Sequence, residues 1–398
     1  MSRSFTDQTD IFADETVLYD SWTPDELPER ETELDDLHDA LAPVARGASP
    51  HNTFVYGKTG QGKTVGVTYK LADLRAFADN NDISLSIVRY SCAKDNTSYQ
   101  VASNLVAELS GEKPRGYDKK TVFDRLYENL QALGGTVIIV LDEIDSIGTD
   151  DDILYELPRA RANGHLEDMW VSVIGISNDF EFRDNLSPKV KDTLCDEELH
   201  FAPYDAGELR SILSRRAKKA FKNDVLSKDV IPLCAAMAAQ DTGSARQAIR
   251  YLYKAGELAS NGGDEIVTES HVREAEAVIE RKSIERGIRD LTTQDHLALT
   301  AVVSLEVDGE TPARTKQVYA KYTNITTHIG AESIAMRRVR DHLQDLNLAG
   351  VVNAMERNTG IQGGQHYLFE LGADLGTTID VLRENERLGD VMDRIIAS

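Results

Sequence analysis

Cysteine is scarce in this 398-residue chain, lysine is depleted relative to arginine, and long apolar runs are missing. Its three cysteines, Cys92, Cys195 and Cys234, stand far apart with no CxxC pair. That argues against a disulfide scaffold or a zinc framework and predicts reduced, mostly buried thiols. The nine histidines keep no metal-ligand spacing. No stretch approaches the roughly 18 consecutive apolar residues of a membrane-spanning helix. The opening residues, Met1-Ser2-Arg3-Ser4-Phe5-Thr6-Asp7, lack the apolar segment of a secretory signal. A cytoplasmic protein without a membrane partner is expected. Lysine is outnumbered by arginine, 17 to 27, and the 67 acidic residues leave a formal charge of −23. The acid is spread along the whole chain instead of gathered in a tail. Diffuse acidity with little lysine suits molar intracellular salt, where the Debye length falls to about 3 Å and self-repulsion is screened. A protein that avoids nucleic acid would carry the same charge, so charge alone leaves both open.

The length predicts two or three domains, and the 41% hydrophobic content is ordinary for a globular chain. Residues 1–30 are polar and acidic and are expected to form a poorly ordered tip running into an extended arm. Leucines and alanines recur at helical spacing from Glu31 to Ala45. Apolar runs at 53–56, 83–90, 136–141 and 171–176 alternate with helical patterns, which predicts a parallel α/β sheet with helices on both faces over 31–203. Residues 205–290 are helical in pattern, with breaks expected at Pro232 and at Asn261-Gly262-Gly263; this all-α region is bounded at 204–284. Residues 285–398 change texture again. Three short helical stretches precede Val351-Val352-Asn353-Ala354 and Tyr367-Leu368-Phe369-Glu370-Leu371, which flank a glycine-containing turn. Helices followed by a two-stranded ribbon form the winged-helix pattern.

Two segments carry chemistry. Gly57-Lys58-Thr59-Gly60-Gln61-Gly62-Lys63-Thr64 fits G-x-x-x-x-G-K-[ST] after an apolar strand, and Val65 onward can open a helix. Its glycines let backbone N–H groups turn toward phosphate oxygens, Lys63 reaches the β- and γ-phosphates, and Thr64 places a hydroxyl on Mg²⁺. Val137-Ile138-Ile139-Val140-Leu141 is a continuous apolar run, as a strand buried on both faces requires, and it ends in Asp142-Glu143. Asp142 is then the residue that holds Mg²⁺ through water, and Glu143 the one that polarises an attacking water. Together the two segments predict ATP binding.

Further residues make the likeness specific. Val171 to Asn178 is a second buried strand ending in a polar residue. With Leu27-Pro28-Glu29-Arg30, Phe201-Ala202-Pro203-Tyr204 and Gly243-Ser244-Ala245-Arg246, the chain from about Phe12 to about Leu371 resembles the archaeal origin-recognition and cell-division-cycle type of replication initiators. These are AAA+ ATPases with a helical lid and a winged helix. The resemblance implies that Asn178 positions the lytic water, that Arg246 contacts the γ-phosphate from the lid, and that Tyr204 and Arg216 line the adenine and phosphate side. It implies a slow ATPase acting as a switch, with ATP/ADP and Mg²⁺ as ligands. It also implies double-stranded origin DNA and the replicative minichromosome maintenance helicase as partners, with self-association or paralogues on DNA, in a nucleoid-associated setting. One departure is plain. The family usually has an arginine finger where Lys189 stands, and lysine keeps the charge without the bidentate fork.

On the DNA side, residues 311–357 carry seven basic side chains against four acidic ones, a +3 island in a −23 protein. A helix is expected from about Glu332 to Leu346, with Val339, Leu343 and Leu346 on a core face and Arg337, Arg340 and Gln344 on another. Arg338 and Lys316 join them as candidate DNA contacts, since arginine reads guanine and glutamine reads adenine in a major groove. The wing at 357–366 has one arginine at its base and none at its tip. Arg115, Lys119 and Lys120 are candidates for a second DNA contact that the family places in the ATPase domain. The expected function is ATP-dependent recognition of a replication origin and recruitment of the helicase. The rivals are a winged-helix DNA-binding regulator that uses ATP structurally, and a signalling ATPase whose winged helix binds protein.

Overall fold

The computed structural model describes residues 11–179, 181–358, 365–385 and 387–397. The chain divides into two compact units, Met1–Val272 and Arg273–Ser398. Among the described residues no helix is long and apolar enough to cross a membrane.

The first unit is organised by a five-stranded parallel sheet of β1 (Thr53–Tyr56), β2 (Leu85–Ser91), β3 (Thr136–Asp142), β4 (Trp170–Ser177) and β5 (Glu197–His200) in the order β2-β3-β4-β1-β5. Alternation along each strand builds two cores. Val137, Ile139 and Leu141 of β3 join Phe54 and Val173 on one face, where the helices Ser98–Ser110 and Lys119–Leu133 cover them. Ile138 and Val140 join Val55, Ile174 and Ile176 on the other, under the helices Glu31–Leu41 and Lys63–Asn80. Strand β5 was not among the expected runs. Only Leu199 of its four residues is buried, and the charged rest suits a short edge strand.

Helices Ala206–Ala220, Val230–Asp241 and Ala245–Gly262 follow. Pro232 does not break this region. It sits in the first turn of Val230–Asp241, where a missing N–H removes no intrahelical bond. The interruptions fall instead at 221–229 and 242–244, and Gly263 in the left-handed region ends the third helix. The arm is also more built than expected. Ile11, Val17 and Leu18 are buried, and Glu15–Leu18 form a 3₁₀ turn capped by Asp14. Phe12 packs against Phe221 with ring centres 4.9 Å apart and the planes tilted by 37°, over a surface where a Cβ at Gly256 would meet the Phe12 ring at 2.6 Å. The described arm is therefore a strap bound to the helices after the sheet.

The second unit packs Thr293–Val307, Thr315–Ile329 and Met336–Leu348 against an antiparallel ribbon of β6 (Ala313–Arg314), β7 (Val352–Asn358) and β8 (Gln365–Leu371), with Leu375–Glu384 and Gly389–Ala397 closing its core. This is the expected winged helix, with β6 and the last two helices added. The third helix begins at Met336, not near Glu332. Backbone just before it is already committed: Tyr319 donates to the Ile334 carbonyl, and the Ile334 N–H donates to Tyr322 Oη.

Candidate functional site

At the carboxyl ends of β1, β3 and β4 lies a cavity of about 700 Å³, where open parallel sheets bind ligands. Two glycines of the loop after β1 have no room for a side chain. A Cβ at Gly57 would come 2.4 Å from the Phe201 carbonyl, and one at Gly60 would strike Ser244 Oγ. The Gly60 carbonyl accepts from the Ala245 N–H at 3.0 Å, so the helix carrying Arg246 is bonded directly to the loop.

Lys63 opens the helix that follows. Its ammonium donates to the Gly57 and Lys58 carbonyls at 2.7 and 2.8 Å, and burial pushes its pKa down to about 8. Thr64 Oγ1 donates to Asp142 Oδ2 at 2.8 Å. Burial raises the Asp142 pKa above the usual carboxylate value. The next residue, Glu143, is held with φ +58°, a conformation that costs a non-glycine side chain energy and turns the chain off β3. Its Oε2 accepts from Ser91 Oγ at 3.0 Å. Asp145 bonds the Asn178 N–H at 2.9 Å and the Ser177 hydroxyl at 3.0 Å, which fixes the end of β4.

The cavity wall takes in Gly60, Gly62, Lys63, Thr64, Val65, Asp142, Glu143 and Asn178, together with Tyr204, Arg216 and Arg246. Gly57 and Gln61 do not line it. The Gln61 side chain is buried with neither amide atom partnered among the described residues. Arg246 is exposed, its Nε 3.8 Å from Asp20. Arg216 is half-covered, donates to the Val17 carbonyl, and has its pKa lowered to about 10 by burial.

Sequence reasoning passed over three residues here. Ser91 ends β2 with nothing in its spacing to mark it. Arg30 closes the Leu27-Pro28-Glu29-Arg30 segment, and its buried guanidinium donates to the Gln61 carbonyl at 3.2 Å and lies 3.6 Å over the Tyr204 ring. Trp22 lines the cavity from the strap.

In the second unit Val339, Leu343 and Leu346 are fully buried, while Arg337, Arg338 and Arg340 are exposed and Gln344 is half-buried. Arg338 sits about 100° round the helix from Arg337, so it does not share the face of Arg337, Arg340 and Gln344. His342 Nδ1 meets the buried Asp295 at 2.7 Å and ties this helix to Thr293–Val307. Lys316 is exposed in the first turn of Thr315–Ile329. Residues 359–364 of the wing lie outside the described residues.

Back in the first unit, Arg115 and Lys120 are exposed, but Lys119 is engaged by Asp150 at 3.0 Å and Asp152 at 2.7 Å. Asp152 also reaches Lys189 at 3.3 Å.

Three family profiles match: an AAA domain over residues 48–183, a Cdc6 AAA+ ATPase-type lid domain over 210–277 and a CDC6 C-terminal winged helix domain over 286–381. Over 408 residues the chain is 43% identical to ORC1-type DNA replication protein 1 of Haloarcula marismortui, covering 97% of this chain and 96% of the relative. It is 42% identical over 360 residues to an ORC1-type DNA replication protein of Thermococcus onnurineus, with coverages of 89% and 86%. Among solved structures, that of the Aeropyrum pernix ORC1 protein in complex with DNA matches with a TM-score of 0.86 at 37% identity, over 96% of this chain and 99% of that one.

Proposed function

This chain belongs to the family of ORC1-type DNA replication proteins, and from that membership we propose that it is a replication initiator whose hold on origin duplex is governed by ATP. The observation that carries the proposal is the joining, in one chain, of a phosphate cradle and a winged helix with full-length likeness to a DNA-bound ORC1. The acidic composition and the Haloarcula relative fit a chain that works in molar salt.

A nucleoside triphosphate with Mg²⁺ fits the residues present. The loop leaves no space for side chains at Gly57 and Gly60, and Thr64 and Asp142 are a hard oxygen pair 2.8 Å apart. Thr64 and Asp142 would hold Mg²⁺, which would supply positive charge against the phosphates. Lys63 supplies a cation to the same phosphates, and its depressed pKa reflects a burial cost that an anion there would offset. Glu143 is the base for the attacking water, and while Ser91 holds its carboxylate it acts as a slow switch. Asn178 orients that water, and Arg246 carries the presence of the γ-phosphate to the lid.

On the duplex, Arg337, Arg340 and Gln344 read base edges while Arg338 and Lys316 contact phosphate. At molar salt counterion release gives phosphate contacts little, so the base contacts carry the binding. Once seated, the protein recruits the replicative minichromosome maintenance helicase.

The test is a genome-wide crosslinking map of the wild type and of Lys63→Ala. One or a few sharp peaks at origins, lost in the variant, are expected. Many promoter peaks indifferent to the variant would make the protein a regulator instead.

A further inference from the structure

Gln61 belongs to the glycine loop but not to the cavity wall. It is 1% exposed, and neither atom of its carboxamide has a hydrogen-bond partner among the described residues. Buried polar groups are almost always partnered, because one left alone has given up its hydration for nothing. Resting on the nucleotide reading above, we infer that Gln61 is a positioning residue of the loop, whose amide takes over the Gly57 carbonyl when phosphate draws the Lys63 ammonium away.

Local geometry holds the amide beneath the loop. Gly60 and Gly62, on either side, have φ of +83° and +88° and line the cavity, and the residue between them is turned inward. The Gln61 carbonyl accepts from Arg30 Nε at 3.2 Å, which pins its backbone. Its Oε1 stands 2.6 Å from where a Cβ at Gly57 would begin. Gly57 is also the residue whose carbonyl Lys63 Nζ holds at 2.7 Å.

The supply of donors explains the exchange. An ammonium has three N–H groups. Lys63 commits two of them to the Gly57 and Lys58 carbonyls. To give more than one to phosphate oxygens it must let a carbonyl go. That carbonyl, left alone in the interior, would cost about what the lone amide costs. Gln61 offers amide N–H donors beside it, and the last torsion of a glutamine side chain is soft, so a half-turn brings Nε2 to where Oε1 stands. Two unpaired groups then satisfy each other. The cost of the lone amide in the nucleotide-free protein is relieved on binding and adds to the affinity for the phosphate chain.

The experiment pairs thermal unfolding of the nucleotide-free full chain with calorimetric titration of MgATP, for the wild type, Gln61→Met and Gln61→Leu, each with and without Lys63→Ala. Both apolar replacements are expected to raise the thermal midpoint by about 2–4 °C, since they remove an unpaired polar group from the interior. Both are also expected to weaken MgATP binding by about five- to thirtyfold, the loss of one or two hydrogen bonds. On the Lys63→Ala background the first effect should change sign. There the carbonyls are already released and the amide already serves them, so Gln61→Met lowers the midpoint. Ordinary packing would move stability and affinity together and keep one sign on both backgrounds. A midpoint that falls with both replacements in the chain that keeps Lys63 would overturn the inference, because the amide would already have a partner. MgATP affinity within about twofold of the wild type would overturn it too. A wild type that binds no MgATP would remove the nucleotide reading and leave the change of sign to decide on Gln61.

Discussion

The cleft of the first unit and the basic helix of the second are built on opposite principles. Lys63, Asp142 and the glycine loop are held by backbone geometry and burial, so each atom has one place to be. Arg337, Arg338 and Arg340 are exposed side chains on a helix whose opposite face is fully buried. Preorganised groups in a low-dielectric site act individually and strongly, and salt does little to them. Exposed cations act as a set, and salt weakens all but those that read bases. The comparison predicts that single changes in the cleft switch function off, while single changes on the helix grade it.

The largest effect is expected from Lys63→Ala. It should lower MgATP affinity by at least about a hundredfold, since a buried charge-assisted partner is lost. The thermal midpoint of the nucleotide-free protein should not fall, because the desolvation that depresses the Lys63 pKa goes with it. Calorimetry of binding and of unfolding checks both halves. Glu143→Gln comes next: turnover is expected to drop by about 10²–10⁴ with MgATP affinity within a few-fold, as single-turnover kinetics and titration would read it.

Arg340→Ala is graded. A lost base contact is worth about 1–3 kcal/mol, so origin affinity should fall by about five- to a hundredfold at molar salt while MgATP affinity holds. Anisotropy on origin and scrambled duplexes measures it. The smallest change is Lys119→Ala. Its partner Asp152 is half-exposed, and hydrogen bonding from Lys119 holds that carboxyl below its usual 3.8. A depressed carboxylate contributes stability above the unfolded value and loses it as pH falls through the folded one. Denaturant unfolding should therefore show Lys119→Ala less stable by about 0–1 kcal/mol at pH 7, with the difference fading below about pH 3.8. Random-duplex affinity should stay within about twofold, because this lysine is already paired inside its own unit.

The same contrast explains what the sequence made legible. A phosphate cradle needs its glycines, lysine and threonine in one strand–loop–helix, so local spacing carries it, and Val137–Leu141 advertises a doubly buried strand. The strap could not be read that way. Ile11, Val17 and Leu18 are buried within an acidic stretch, and what Phe12 rests against is Phe221, Tyr253 and Gly256, far along the chain. Strand β5 hid behind Glu197 and Glu198, and Ser91 acquires meaning only when β2 and β3 pair. On the DNA side periodicity identified the buried face of Met336–Leu348. Its start was misjudged because tyrosine hydrogen bonds from a neighbouring helix, not local propensity, hold Ile334 outside it.

ATP in the cleft is proposed to govern the sequence-specific hold of the helix on duplex. The most direct measurement is the affinity of the full chain for its mapped origin duplex and for a scrambled duplex in molar KCl, with MgATP and without nucleotide. Tight binding to the origin duplex alone is expected, strengthened by MgATP in the wild type and unresponsive in Lys63→Ala. Equal affinity for both duplexes, or an origin affinity that MgATP leaves unchanged, would contradict it.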